Sequence, residues 1–214
     1  MAYNVSYKLQ GNIDAIRIAL QWNGSSVLSP TELETLQQYS GFGGIKAVLY
    51  PNSDKQEWIK MGATLSDLRV YDEIIELHQI LRAHFNEQQY KAVVQSLKDS
   101  VLTAFYTPPV VPQTLYKVLV ENNIHPQRLY EPSAGAGIFI SEAVKSLPSL
   151  EQVTAVEKDL LTGKILEAIN SQLPVQTTTH ISALEEAPIT DNNQYDLVVS
   201  NIPFGNFRVF DAGF

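Results

Sequence analysis

The sequence predicts an α/β chain: an open sheet of parallel strands (residues 101–214) preceded by a mainly helical N-terminal region (residues 1–100). Three observations carry this. Apolar residues before residue 100 recur at a spacing near 3.6, the helical period. From Arg128 onward, short apolar strands alternate with helical segments of about 10–15 residues, the pattern of a parallel sheet with helical crossovers. Between the first such strand and its helix lies a glycine turn, in Leu129–Ile140, LYEPSAGAGIFI.

In the N-terminal region, Asn12–Gln21 reads as a short helix through Ile13, Ile16, Ile18 and Leu20. Ser29-Pro30-Thr31-Glu32 is a helix start. Ser29 can cap, Pro30 suits the first turn, and Glu32 completes a capping box. That helix runs to about Tyr39 and stops at Ser40-Gly41. Gly41-Phe42-Gly43-Gly44 has no following GK[ST] and no preceding strand, so it reads as a helix stop and turn, with Phe42 a candidate partner contact. Ser66–Phe85 reads as one long helix striped with Leu68, Ile74, Ile75, Leu77, Ile80 and Leu81. His78 and His84 on it are six apart, which puts them on different faces, so they read as packing or surface residues rather than a metal pair. Asn86 caps a helix over Glu87–Leu102.

Thr107-Pro108-Pro109 cannot continue that helix, and Val110–Glu121 starts another. The sheet region follows. Strands are expected at Arg128–Glu131, Val153–Glu157, about Val175–Ile181 and Tyr195–Ser200. Helices are expected at Ile138–Leu147 and Asp159–Gln172.

A strand, glycine turn and helix place backbone N–H groups and a helix N-terminus at the carboxyl edge of the sheet, where open α/β sheets bind ligands. Glu131 ends the strand, and Gly135 and Gly137 make the turn. Ile140 stands where a dinucleotide fingerprint has its third glycine, and a carboxylate beside the turn disfavours a pyrophosphate, so a nicotinamide enzyme fits poorly. A ligand carrying positive charge suits Glu131 better. Glu157 closes the second strand 20 residues beyond Gly137, where one carboxylate can take both hydroxyls of a ribose. Tyr195–Gly205, YDLVVSNIPFG, is an apolar strand running into Asn201-Ile202-Pro203-Phe204. Each motif alone also fits a plain turn or a solvated charge.

Together, in this order, they resemble the class I S-adenosylmethionine (SAM)-dependent methyltransferases that act on amino groups. Asn201–Phe204 is similar to that group's (D/N/S)PP(Y/F) motif, with Ile202 in place of the first proline. Phe105-Tyr106-Thr107-Pro108 resembles the FxTP segment that precedes the glycine loop in N6-adenine DNA methyltransferases. The match covers about residues 101–205. The whole chain also looks like the front portion of the large DNA methylases carried by conjugative elements of Bacteroides-type bacteria.

The resemblance implies a Rossmann-like methyltransferase sheet, here incomplete with parallel strands one to four. It implies SAM as cofactor, held by Phe105, Tyr106, Thr107, Pro108, Glu131, Pro132, Ser133, Gly135, Gly137, Glu157 and Lys158, with Leu184 and Glu185 against the adenine ring. It implies Asn201, Ile202, Pro203 and Phe204 as the catalytic turn, DNA as partner, a place in restriction-modification, and no metal. A methyltransferase acting on RNA or on a protein glutamine, or an inactive interaction module of the same fold, remains an alternative.

Composition bounds the rest. The chain has 214 residues, enough for one large domain or one plus a small one. It has no apolar run long enough to span a bilayer, no signal-peptide pattern, and no cysteine, which together predict a cytoplasmic protein without disulfides or thiolate metal sites. Net charge is −8, and residues 101–214 hold 6 Lys and Arg against 12 Asp and Glu. Duplex binding depends on basic side chains at phosphates, so the DNA-contacting surface is expected in segments outside this chain. The family's sheet has seven strands, so strand four is expected to be an apolar edge with unpaired backbone groups. The isolated chain is therefore expected to self-associate, or to pair with a C-terminal polypeptide, through strand four. Light scattering checks this: a larger species is expected, and a clean monomer with that edge bare would contradict it.

Overall fold

The structure, a computed structural model, describes residues 5–50, 53–103, 107–186 and 194–202. The chain divides into two compact units, Met1–Ala104 and Phe105–Phe214.

The first unit is helical: α1 (Val5–Gln21), α2 (Pro30–Gln37), a 3₁₀ turn at Lys46–Leu49, α3 (Lys55–Lys60), α4 (Leu65–Arg69), α5 (Tyr71–His84) and α6 (Glu87–Thr103). The Ser29–Glu32 capping box forms as its residues dictate, with Pro30 in the first turn of α2. Leu9, Ile13 and Ile16 of α1, Leu36, Trp58, and Ile74, Leu77 and Leu81 of α5 are buried. The expected single helix over Ser66–Phe85 is broken. Thr64 and Asp67 cap one another reciprocally and start α4, and Val70 leaves helical geometry before α5 begins. Val70 is only 3% exposed, so burial of its side chain accompanies the break.

Phe42 does not face a partner. It is buried, 1% exposed, and packs edge-on against Tyr39. The buried Asn12 amide ties this turn down, donating to the Gly41 carbonyl at 2.7 Å and accepting from Ser40 N–H at 2.9 Å. His78 is likewise internal. Its ring nitrogens meet Tyr90 Oη at 2.8 Å and the Val48 carbonyl at 2.9 Å. Burial pulls its pKa below the usual histidine value, so it packs as the neutral ring.

The second unit contains α7 (Val110–Glu121), β1 (Arg128–Glu131), α8 (Ile138–Ser146), β2 (Gln152–Glu157), α9 (Leu160–Asn170), β3 (Gln176–Ile181), a 3₁₀ turn at Leu184–Glu186 and β4 (Leu197–Val198). All strand pairings are parallel and the order is β3-β2-β1-β4. This is the Rossmann-like arrangement expected from the sequence. The chain steps outward from β1 to β3, then returns to the other side of β1. That reversal makes the carboxyl ends of β1 and β4 a topological switch point, the kind of place at which open α/β sheets take ligands.

The core lies between the sheet and its helices, around Leu129, Phe139, Ile140, Ala143, Val153 and Leu166. Tyr116 of α7 is fully buried and donates to the Phe139 carbonyl at 3.0 Å, which locks α7 onto α8. Beyond β4, no further strand pairs with it among the described residues. β4 is shorter than the predicted Tyr195–Ser200, because only Leu197 and Val198 pair with β1. Val198 is 62% exposed rather than buried. Its neighbour Asp196 anchors the start of the strand, accepting from Arg128 Nη2 at 2.9 Å and from the backbone N–H groups of Gln127 and Arg128.

Gly163 sets how closely α9 approaches β3. A Cβ there would lie 2.8 Å from Ile181 Cγ2 and 2.9 Å from Cγ1. Alanine is the better helix former by about 1 kcal/mol, but overpacking a close helix–sheet contact costs about 1–3 kcal/mol. Gly163→Ala is expected to lower the urea midpoint, and an unchanged or higher midpoint would contradict the close approach.

Candidate functional site

The site begins with the turn after β1. The Ala134 N–H donates to the Val156 carbonyl at 2.9 Å, which ties the turn to β2. Gly137 N–H donates to the Ala134 carbonyl at 2.9 Å and closes the bend. Gly135 and Gly137 both have positive φ, 55° and 80°. At Gly137 a second constraint applies: a Cβ would sit 2.7 Å from Leu166 Cδ1 of α9. The turn requires glycine for conformation and for space. Helix α8 then starts at Ile138 with no side-chain cap on its free N–H groups.

Glu131 ends β1 and is 1% exposed. Its Oε2 is buried and has no hydrogen-bond partner. Burial raises its pKa well above the usual carboxylate value, and the nearby Glu157 charge raises it further. A buried carboxyl oxygen without a partner costs stability.

Glu157 ends β2. Its Oε2 accepts from Gly135 N–H at 2.8 Å, and its Oε1 accepts from Asp159 N–H at 2.7 Å. Both oxygens are thus tied to the backbone. Burial pushes its pKa up to about 7, against backbone donors from Asp159, Gly135 and Lys158. Asp159 caps α9, accepting from Thr162 N–H at 2.7 Å. Lys158, between them, is exposed.

Pro132, Ser133 and Gly135 are partly buried along the turn. Leu184 and Glu185 lie on the exposed 3₁₀ turn after β3, with Leu184 50% exposed. Pro108 is exposed. Phe105 and Tyr106, and Pro203 and Phe204, lie outside the described residues. Asn201 follows β4, and its Nδ2 donates to Thr107 Oγ1 at 2.9 Å. The proline corner and the NIPF turn thus meet, although 94 residues separate them. Ile202 is 65% exposed.

The register levels the ends of the strands. Leu129 pairs with Leu197 and Tyr130 with Val198, so Glu131 stands opposite Val199, with Asn201 two residues further along the chain. Two features were not apparent in the sequence. Ser200, next to Asn201, has a buried hydroxyl with no partner. The Tyr116 hydroxyl lies in the field of Glu131, which adds to the upward pKa shift that burial imposes on it. Among the described residues no group of three or more His, Asp or Glu could hold a metal. None of their helices is long and apolar enough to cross a membrane. An open apolar groove of about 600 Å³ runs along α7 past Val110, Leu115 and Val118, apart from the glycine turn.

No family model matches the chain. It is 28% identical over 145 residues to the Defense against restriction protein B of Escherichia phage P1, across 67% of this chain and 5% of the phage protein. Among solved structures, it is similar to a candidate class I SAM-dependent methyltransferase from Listeria monocytogenes, with TM-score 0.44, 15% identity, and coverage of 94% of this chain and 60% of that one. It is also similar to a type I restriction-modification methyltransferase subunit from Streptococcus thermophilus, with TM-score 0.41, 16% identity, and coverage of 95% and 46%. The chain therefore spans less than two thirds of each of these relatives.

The two buried carboxyls predict a pH dependence. Both folded pKa values are raised, so protonation favours the unliganded fold. That stabilisation is present below 4.5 and is lost for Glu157 as pH rises through about 7. Glu131→Gln removes one such group. Relative to this variant, the wild-type denaturation midpoint is expected to fall as pH rises above the ordinary carboxyl value of 4.5, and parallel curves would contradict the assignment.

Proposed function

We propose that the chain binds SAM at the switch point and takes part in methyl transfer to an exocyclic amino group, N6 of adenine in DNA. The observation that carries this reading is the buried Oε2 of Glu131, which has no hydrogen-bond partner, beside the glycine turn. A carboxyl oxygen kept from water and from every described donor suits a cationic group. SAM offers an ammonium, with its sulfonium adding positive charge nearby. The Glu157 oxygens, tied to the backbone, would also accept from the hydroxyls of a ribose. The residues present therefore fit the cofactor. Gly135, Gly137, Pro132 and Ser133 would line the turn around it, and Tyr106, Thr107 and Pro108 would close over the methionine end. Lys158, Leu184 and Glu185 would meet the adenosine.

When bound, SAM supplies an electrophilic methyl group on sulfur. The chain's part is positioning. The lone pair of an exocyclic amine is delocalised into its ring, so the nitrogen is a weak nucleophile. The Asn201 Oδ1 and the Ile202 carbonyl would accept from its two N–H groups, drawing the nitrogen toward tetrahedral geometry and aiming the lone pair outward. Such alignment accounts for a large part of the rate of a transfer between two bound partners. Ile202 keeps the carbonyl that proline would present, but leaves φ freer than proline does. Phe204 would stack on a base turned out of the helix. No side-chain base is required, because the methylated nitrogen can lose its proton to water.

DNA as the substrate is supported by the FYTP order in the sequence and by the similarity to a phage protein named for defence against restriction. The acidity of residues 101–214 argues that other segments of a longer polypeptide, or a partner, would hold the duplex.

Asn201→Ala separates binding from transfer. The variant is expected to bind SAM within about twofold of wild type by calorimetry while losing methyl transfer to adenine-containing DNA by more than about 100-fold. Equal loss of both would contradict the division between Glu131 and Asn201.

A further inference from the structure

We infer that Thr107 is a positioning residue for the proposed transfer: its hydroxyl holds the Asn201 side-chain amide with Nδ2 turned inward, so that Oδ1 is the arm presented outward. The inference rests on the reading of Asn201 given above and adds a residue to it.

The geometry is a single contact with a large consequence. Asn201 Nδ2 and Thr107 Oγ1 are 2.9 Å apart, both side chains are partly buried, and the two come from opposite ends of the second unit. A side-chain amide has two nearly equivalent orientations related by a half-turn, because its terminal torsion is broad and two-fold. The two are chemically opposite. One presents an acceptor and the other presents two donors. An amine with two N–H groups needs the acceptor, and a donor turned toward it would leave both sides unsatisfied. With Nδ2 committed to Thr107, the oxygen lies on the far side of the amide from the hydroxyl.

The surroundings leave this task to Thr107. Asn201 lies three residues past the end of β4, and among the described residues no pairing of β4 with β1 reaches it. Ile202 replaces a residue that would have restricted φ, so the turn itself supplies less rigidity than a double proline. Thr107 sits on the opposite side, at a corner that Pro108 and Pro109 hold just before α7. Helix α7 is in turn bound to α8 through Tyr116 and through the Gln113–Glu142 contact at 3.0 Å. The hydroxyl therefore stands on a braced segment, while the amide stands on a looser one. The short chain of supports runs from α8 through α7 and the proline corner to the Asn201 amide.

The test compares Thr107→Val, which keeps the shape and removes the hydroxyl, with Thr107→Ser, which keeps the hydroxyl, in the full chain. Side-chain ¹⁵N NMR of Asn201 reads the amide directly and needs no turnover. In Thr107→Val its NH₂ resonances are expected to shift and to exchange faster with water, and in Thr107→Ser to return toward wild type. In methyl-transfer assays with saturating SAM, Thr107→Val is expected to lower kcat about tenfold, the scale of one lost hydrogen bond, with the KM for DNA little changed and activity recovered in Thr107→Ser. Amide resonances that are identical in wild type and Thr107→Val would overturn the contact. A shifted amide with kcat unchanged would overturn its role in transfer while leaving the functional reading intact. A wild-type chain that neither binds SAM nor transfers methyl would overturn the functional reading itself, and with it the role given to Thr107.

Discussion

A carboxyl oxygen buried without a partner is the constraint on which the second unit turns. Glu131 is almost wholly excluded from solvent, and its Oε2 meets no donor. Burying an unsatisfied ionisable group works against folding, and this one stands at the end of β1, where the strand order reverses. The neighbouring parts follow from this position. The glycine turn clears space in front of the carboxyl, and α9 closes so tightly behind it that Gly137 leaves no room for a side chain. Glu157 braces the turn through Gly135, and its charged form would favour a cation over an anion beside it.

This electrostatic character separates the site from a dinucleotide-binding turn, which it matches in backbone shape. Both place a glycine bend and a helix N-terminus at the edge of a parallel sheet. The difference lies in what stands beside the bend. Two buried acids with raised pKa values offer a pyrophosphate no positive charge, and in giving up protons they would favour an ammonium. The same fold thus supports different ligands through the charge of two side chains.

Much of the second unit was legible in the sequence because its signals are local. The alternation of apolar strands with helices gave the parallel sheet, the glycine pair gave the turn, and Asp159 announced the start of α9. The α7 boundaries agree with the proline corner. What was not legible depends on contacts distant in sequence or on partners of a strand. The break at Val70 and the burial of Phe42 are decided by packing within the helical unit, so period and composition did not reveal them. The length of β4 is decided by pairing with β1, which apolar character alone overstates. In the site, Glu131, Gly135, Gly137 and Glu157 gather as their positions at strand ends require. The link between Thr107 and Asn201 carried no sequence signal, since nothing in either segment names the other.

Under the proposed function, the buried Oε2 of Glu131 would meet a positively charged methyl donor. A crystal structure of the chain grown with SAM tests it most directly. A carboxylate oxygen of Glu131 is expected within hydrogen-bonding distance of the donor's ammonium group, with the Glu157 oxygens on the ribose hydroxyls. A bound donor that leaves Glu131 without a partner, or that lies away from the glycine turn, would contradict the account.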